Sequence, residues 1–229
     1  MALPMEVLVL ILLITLGIFS IISFKKKLLN FEGVLIANIV GIAIFIFANY
    51  DITFFFVALL FFIVAEAGTL YAKKRKPKHE KRAMGNILGN SGTAILALAL
   101  GFPFGFFAAF ASALADTLSS EIGLLSKKKP VLVTTLKQVK PGTDGGVTLL
   151  GIAAAFVGAT IIAFVHFMLF QNIILFFILV ISGVFGSLVD SFFGAVFERQ
   201  GKLNNAEVNF LGSLGGTALA LAMYVIVML

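Results

Sequence analysis

The sequence predicts an all-α, polytopic integral membrane protein of about eight transmembrane helices, with broken helices near its site. Three observations predict it. Hydrophobic residues make up 60% of the chain and charged residues only 12%, a balance foreign to water-soluble domains. The apolar residues come in segments of roughly 20, the length of helix that crosses a hydrocarbon core. All 17 lysines and arginines fall in alternate connecting segments, as the positive-inside rule requires.

In chain order the expected spans are residues 6–23, 33–49, 52–71, 86–102, 105–125, 147–169, 172–196 and 208–228. The first is followed by the basic run Lys25, Lys26, Lys27 and has no basic residue before it, so it resembles an inserted helix rather than a cleaved signal peptide. The fourth opens on Gly85, Asn86, Gly89, Asn90, Ser91 and Gly92, which make its first half polar and flexible. Segment 24–32 holds three basic residues, 72–83 seven, 126–146 five and 197–207 two. The opposite side receives only short turns such as Asn49, Tyr50, Asp51. The expected orientation places both termini outside a cell membrane and the basic loops in the cytosol. The longest loop, 126–146, is too short to fold alone, so residues 1–229 read as a single membrane domain. The run from Lys73 to Arg82 is expected to rest on anionic membrane lipid.

Composition also excludes function classes. The net charge of +6 comes from short basic runs between apolar spans, which set topology and do not signal nucleic acid. With no cysteine, disulfides, thiolate metal sites and cysteine nucleophiles are ruled out. The two histidines, His79 and His166, argue against zinc or a histidine triad. Gly92-Thr93-Ala94-Ile95 echoes Gly216-Thr217-Ala218-Leu219, and Ala115-Asp116-Thr117 echoes Val189-Asp190-Ser191. Duplicated halves and plain small-residue packing both produce such echoes.

The informative residues are polar ones inside the spans. A carboxylate at mid-bilayer costs a few kcal/mol or more, so it normally faces a bundle interior. Glu66, Asp116, Glu121 and Asp190 all lie in the cytosolic halves of their spans, which predicts a wet cavity open to the cytosol. Ser112, Asp116 and Ser120 form a polar stripe. Asp116 and Glu121 diverge by about 140° on a regular helix, so they share one ligand only if the helix unwinds, or else they line different walls of a groove. In the seventh span Gly183, Gly186, Ser187, Asp190, Gly194 and Glu198 fall along one face, where glycines admit close approach.

The loop from Lys140 through Pro141, Gly142, Thr143, Asp144, Gly145 and Gly146 leads into a helix and is the best candidate for a phosphate cradle. Lys137 and Lys140 add charge beside it. It lacks the Gly-Lys-Ser/Thr ending of a Walker A loop. Asn86 and Asn90 sit one turn apart at one helix entrance, and Asn205 and Asn209 at another. Such amides orient a sugar, base or phosphate, or simply cap the helices.

At these residues the chain resembles the transmembrane protein 19 family, also called domain of unknown function 92, which includes a plant phytyl-phosphate kinase. The resemblance rests on Gly89-Asn90-Ser91-Gly92, on Ala115-Asp116-Thr117-Leu118-Ser119-Ser120-Glu121-Ile122-Gly123, on Pro141-Gly142-Thr143-Asp144-Gly145-Gly146-Val147-Thr148-Leu149-Leu150-Gly151, on Gly186-Ser187-Leu188-Val189-Asp190-Ser191, and on Asn204-Asn205 followed by Val208-Asn209. The blocks keep their order across residues 85–229, the family-like catalytic core. Residues 1–72, three helices, lie outside them.

The resemblance implies a kinase that adds a second phosphate to a prenyl monophosphate, using a nucleoside triphosphate, CTP favoured, and a divalent cation, Mg2+. Onto this sequence it places Asp116, Glu121 and Asp190 as metal ligands, with Asp144 as a further ligand or loop organiser. Lys137, Lys140, Gly142, Thr143, Gly145, Gly146, Asn86, Asn90, Ser91, Thr117, Ser120, Asn205 and Asn209 are the expected nucleotide- and phosphate-binding set. The prenyl tail is expected between helices in the acyl region. A prenyl-alcohol kinase, a lipid-phosphate cytidylyltransferase and an ion-coupled transporter remain as alternatives.

Overall fold

The computed structural model describes residues 3–73 and 84–229. It contains eight α-helices: α1 (Met5–Lys26), α2 (Phe31–Phe47), α3 (Ile52–Lys73), α4 (Met84–Ala99), α5 (Pro103–Gly123), α6 (Leu149–Phe170), α7 (Ile173–Val196) and α8 (Asn205–Met228). Each ends within three residues of the span read from the sequence. The basic run beyond Lys73 falls outside the described residues.

Among the described residues five helices are long and apolar enough to cross a membrane: α1, α3, α6, α8, and α7 together with the 3-10 turn Glu198–Gln200 that prolongs it. The chain is therefore a multi-pass, all-α membrane protein. The 17-residue α2 is apolar but shorter. At 16 residues, α4 reaches only about 24 Å. The 21-residue α5 is long enough but carries Ser112, Asp116, Thr117, Ser119, Ser120 and Glu121. It tolerates them because protein surrounds it: α3, α4, α6, α7 and α8 all pack against it. Every residue of α5 from 104 to 118 is buried, with the single exception of Asp116.

Helix boundaries follow ordinary capping chemistry. Asn30 Oδ1 accepts from Gly33 N–H at 2.8 Å, and Asn172 Oδ1 from the Ile174 and Leu175 N–H groups at 3.1 Å each. Asn204 and Glu207 form a reciprocal capping box at the head of α8, as the side-chain spacing favours. Thr148 caps α6 through Gly151 N–H and lies against the Gly123 carbonyl, tying the end of α5 to the start of α6.

Small residues set the distance between α5, α6, α7 and α8. A Cβ at Gly183 would stand 2.7 Å from Ala159 Cβ and 3.1 Å from the Ala111 backbone. A Gly183→Leu change is accordingly expected to lose about 1–3 kcal/mol, read as a lower midpoint when heated samples are passed over size exclusion. An unaltered midpoint would remove this account of the packing.

The expected helix breaks near the site are absent. Among the described residues α5 and α7 run unbroken past their acids. The acids face protein and cavity rather than lipid, so no unwinding is needed to shelter them. The echoed segments occur in mirrored order, Gly92 then Asp116, but Asp190 then Gly216. Neither tandem nor inverted duplication reverses the order along the chain, which leaves small-residue packing as the source.

The connection between α5 and α6 is a folded strap. Val131–Leu132 pairs antiparallel with Gly146–Val147, with Val131 opposite Val147 and Leu132 opposite Gly146. Gly142 and Gly145 have φ of 81° and 73°, the left-handed region open to glycine. Gly145 then meets Gly194 of α7, where any side chain would hold the two backbones apart.

Candidate active site

Three crossings bring the two aspartates together. On α5, Ser112 donates to the Ser182 carbonyl of α7 at 3.4 Å. Gly186 and Gly216 leave room for that serine, so α5, α7 and α8 close tightly one turn from Asp116. Gly212 of α8 lies against Asp190, where a Cβ would stand 2.7 Å from the aspartate's own. Asp116 and Asp190 therefore meet about 10 Å from the basic-loop ends of their helices.

Ser187 donates to Asp116 Oδ1 at 3.4 Å. The two carboxyl groups approach within hydrogen-bonding reach of each other. Asp190 Oδ2 is buried without a donor. Two ionised carboxylates do not sit together in this way without a shared proton or a cation between them.

The pair lies in a cavity of about 600 Å3, within the usual range for small-molecule sites. Among the described residues its walls carry five carboxylates, Asp116, Glu121, Asp144, Asp190 and Glu198, against two ammonium groups, Lys73 and Lys128. Such a chamber repels phosphates unless cations accompany them. The donor set fits Mg2+, which takes one or two carboxylates and fills its other positions with water and phosphate oxygens.

Most residues singled out in the sequence line this cavity. Asp116, Glu121, Asp144 and Asp190 do, with Thr117 and Ser120 of α5, Gly142, Thr143, Gly145 and Gly146 of the strap, and Asn86, Asn90, Asn205 and Asn209 at the two helix entrances. Asn204, not Asn205, caps α8, so the amides of Asn205 and Asn209 face the chamber.

The arrangement departs from the expected site in five places. Glu121 does not join the aspartates: Thr69 donates to its Oε1 at 3.4 Å, because five residues of unbroken helix turn it to another wall. Among the described residues no three acidic or histidine side chains converge on one metal position. Lys137 and Lys140 are exposed on the strap and do not line the cavity. Ser91 turns its hydroxyl to the Ile87 carbonyl at 2.7 Å and lies away from the chamber. Two amides of the expected cradle are spent inside the strap, Thr143 N–H on the Lys140 carbonyl at 3.2 Å and Gly146 N–H on the Thr143 carbonyl at 2.9 Å. Glu66 is buried in α3 but does not line the cavity.

Sequence reading missed Thr69, Lys73, Ser119, Lys128, Thr148 and Ser191 as lining residues, and gave Glu198 no role. Ser119 and Ser191 sit in the motif blocks beside the aspartates, which was a usable signal. Lys73 and Lys128 lie in basic runs whose orienting role hid any other.

Comparison with known proteins places the chain in a wider group. A family model described as integral membrane protein DUF92 matches residues 14–217, so it takes in the first three helices as well as the motif blocks. An uncharacterized membrane protein of Methanocaldococcus jannaschii is 35% identical over 210 residues, 87% of each chain. Protein PGR of Arabidopsis thaliana is 43% identical over 98 residues, 38% of this chain and 34% of that protein. Protein VTE6, chloroplastic, also of Arabidopsis thaliana, is 33% identical over 129 residues, 53% of this chain and 38% of that protein. No solved structure matches.

Proposed function

The chain belongs to the integral membrane protein DUF92 family, and from that premise we propose that it is a membrane-embedded phosphotransferase. It carries the terminal phosphate of a nucleoside triphosphate, CTP by family resemblance, to a prenyl monophosphate and releases the prenyl diphosphate. The observation that carries the reading is the Asp116–Asp190 pair, set in an acid-rich chamber at the basic-loop end of the bundle. By the positive-inside pattern that end faces the cytosol, where nucleotides are found.

Phosphoryl transfer asks a protein for position and charge more than for covalent chemistry. An oxygen of the lipid phosphate attacks the terminal phosphorus of the triphosphate, the bond to the bridging oxygen breaks, and the nucleoside diphosphate leaves. Asp116 and Asp190 would hold Mg2+, which when bound neutralises phosphate oxygens and makes the phosphorus easier to attack. Lys73 and Lys128, which line the same cavity, hold phosphate oxygens. The Asn86, Asn90, Asn205 and Asn209 amides orient the head groups, and the strap from 130 to 148 limits water around the reacting atoms.

A carrier would need a polar path through the whole bundle. Beyond Ser112, α5 instead presents Phe104, Phe106, Phe107 and Phe110, and Phe54 and Phe61 of α3 stack against three of these rings. That aromatic block weighs against the transporter.

The reading is tested by incubating purified protein with prenyl phosphates, and in parallel with the free prenyl alcohols, and each of four nucleoside triphosphates, then weighing the lipid product. A gain of one phosphate is expected, and EDTA should abolish it. A nucleotide-linked lipid would assign a cytidylyltransferase, a monophosphate made from the free alcohol an alcohol kinase, and no product with any pair would end the proposal.

The lysines give a sharper check. Lys128→Ala is expected to raise the nucleotide KM about tenfold, the loss of one charge-assisted contact. Lys137→Ala and Lys140→Ala should leave KM within a factor of two or so, since neither lysine lines the cavity. The reverse ranking would return the phosphates to the glycine-rich strap.

A further inference from the structure

Asn86 and Asn90 line a second cavity as well as the first. It is a narrow slot of about 80 Å3 among α1 to α5. Apart from those two amides and the internally bonded Ser91, its walls are aliphatic and aromatic, with Phe19, Phe55 and Phe62 prominent. α3 packs on α2 and α5, but among the described residues it makes no close packing with α4, its neighbour in sequence. The slot occupies that gap.

Glycine contacts close α5, α7 and α8, and aromatic rings fill the space between α3 and α5, so a void here forfeits dispersion contacts. An apolar slot joined to a polar chamber through two amides matches one kind of molecule, an amphiphile with a single chain and a phosphate head. We propose that the slot seats the hydrocarbon chain of the lipid substrate, with Asn86 and Asn90 at the neck where hydrocarbon gives way to phosphate. The assignment rests on the phosphotransferase reading of the neighbouring chamber. It gives α1, α2 and α3 a task that the acidic site does not require of them, namely selection of a single-chain lipid by length.

Ala58 lines the slot from α3 and is only partly buried, so Ala58→Phe narrows it without touching the chamber. The test uses the full chain in nanodiscs, a nucleoside triphosphate, and prenyl phosphates of one, two, three and four isoprene units. In the wild-type protein kcat/KM should rise from one isoprene unit to two, about as much chain as a slot of this size admits, and level off beyond. Ala58→Phe should lose at least about tenfold on the two-, three- and four-unit substrates and lose far less on the one-unit substrate. Ala58→Leu, a smaller intrusion, should fall between the two and serves if the phenylalanine variant does not fold. An equal loss at every length, or an unaltered length profile, overturns the assignment.

A second readout needs no turnover. An alkyl phosphate with a terminal diazirine, photolysed without nucleotide, should label peptides of α1 to α3 in the wild-type protein and not in Ala58→Phe. Labelling there without phosphate gain on any prenyl phosphate sinks the phosphotransferase reading and leaves the slot. Phosphate gain with no such labelling sinks the slot and leaves the reading.

Discussion

Asp116→Asn abolishes phosphoryl transfer, lowering kcat by roughly a thousandfold or more, and leaves the protein folded. The substitution keeps the shape of the side chain and removes one of the two carboxylates that face each other between α5 and α7. A half-site of one carboxylate binds a divalent cation poorly. Stability should move the other way. Asp190 Oδ2 has no donor, and the new amide at position 116 supplies an N–H close by while relieving like-charge repulsion. The thermal midpoint is therefore expected to hold or rise as activity disappears. A structural role for Asp116 predicts activity and stability falling together, so the two measurements on one variant separate the accounts. Asp190→Asn should behave alike, and the double variant should lose little more than either single change, because the pair acts as a unit.

Gly145→Val is expected to disable the enzyme by another route. Gly145 has a φ of 73°, which costs a side-chain-bearing residue about 1–2 kcal/mol. A Cβ there would also stand 2.6 Å from the Ala195 backbone nitrogen and 2.6 Å from the Ser191 carbonyl oxygen. The helix backbone cannot swing away as a side chain could, so the strap must lift from α7 and carry Thr143 and Asp144 out of the cavity wall. Loss of about a hundredfold in kcat is expected, as for reacting groups left out of register, with helical circular dichroism unchanged. Trypsin should then cut faster at Lys137, whereas Lys140 is shielded by the proline that follows it. Full activity with unaltered cleavage would mean that the strap is no part of the site.

The sequence made the helices legible because length and apolarity decide them: a span near 20 residues bounded by basic runs has few alternatives. The eight helices follow, although α2, α4 and α5 fall short of the rule for lipid-facing spans. Once α5 is enclosed by five other helices, only its packing partners need to be apolar. Asp116 was legible for the same energetic reason, since no neutral explanation covers an acid so deep in an apolar segment.

Register between helices was not legible. Nothing local states that Gly212 backs Asp190, or that five residues of unbroken helix send Glu121 to the wall beside Thr69. The strap was misjudged because two-residue strands carry no period to read, and its pairing consumes amides that the glycine pattern appeared to offer a phosphate. The two lysines nearest the glycines in sequence, Lys137 and Lys140, lie outside the chamber, whereas Lys73 and Lys128 arrive from farther along the chain.

The paired aspartates as a cation site can be observed without substrate. Titrating the purified protein with Mn2+ and following the free ion by electron paramagnetic resonance should reveal one tight site per chain, displaced by Mg2+ and lost in Asp116→Asn and in Asp190→Asn. Mn2+ binding of unchanged affinity in the double variant would contradict the account.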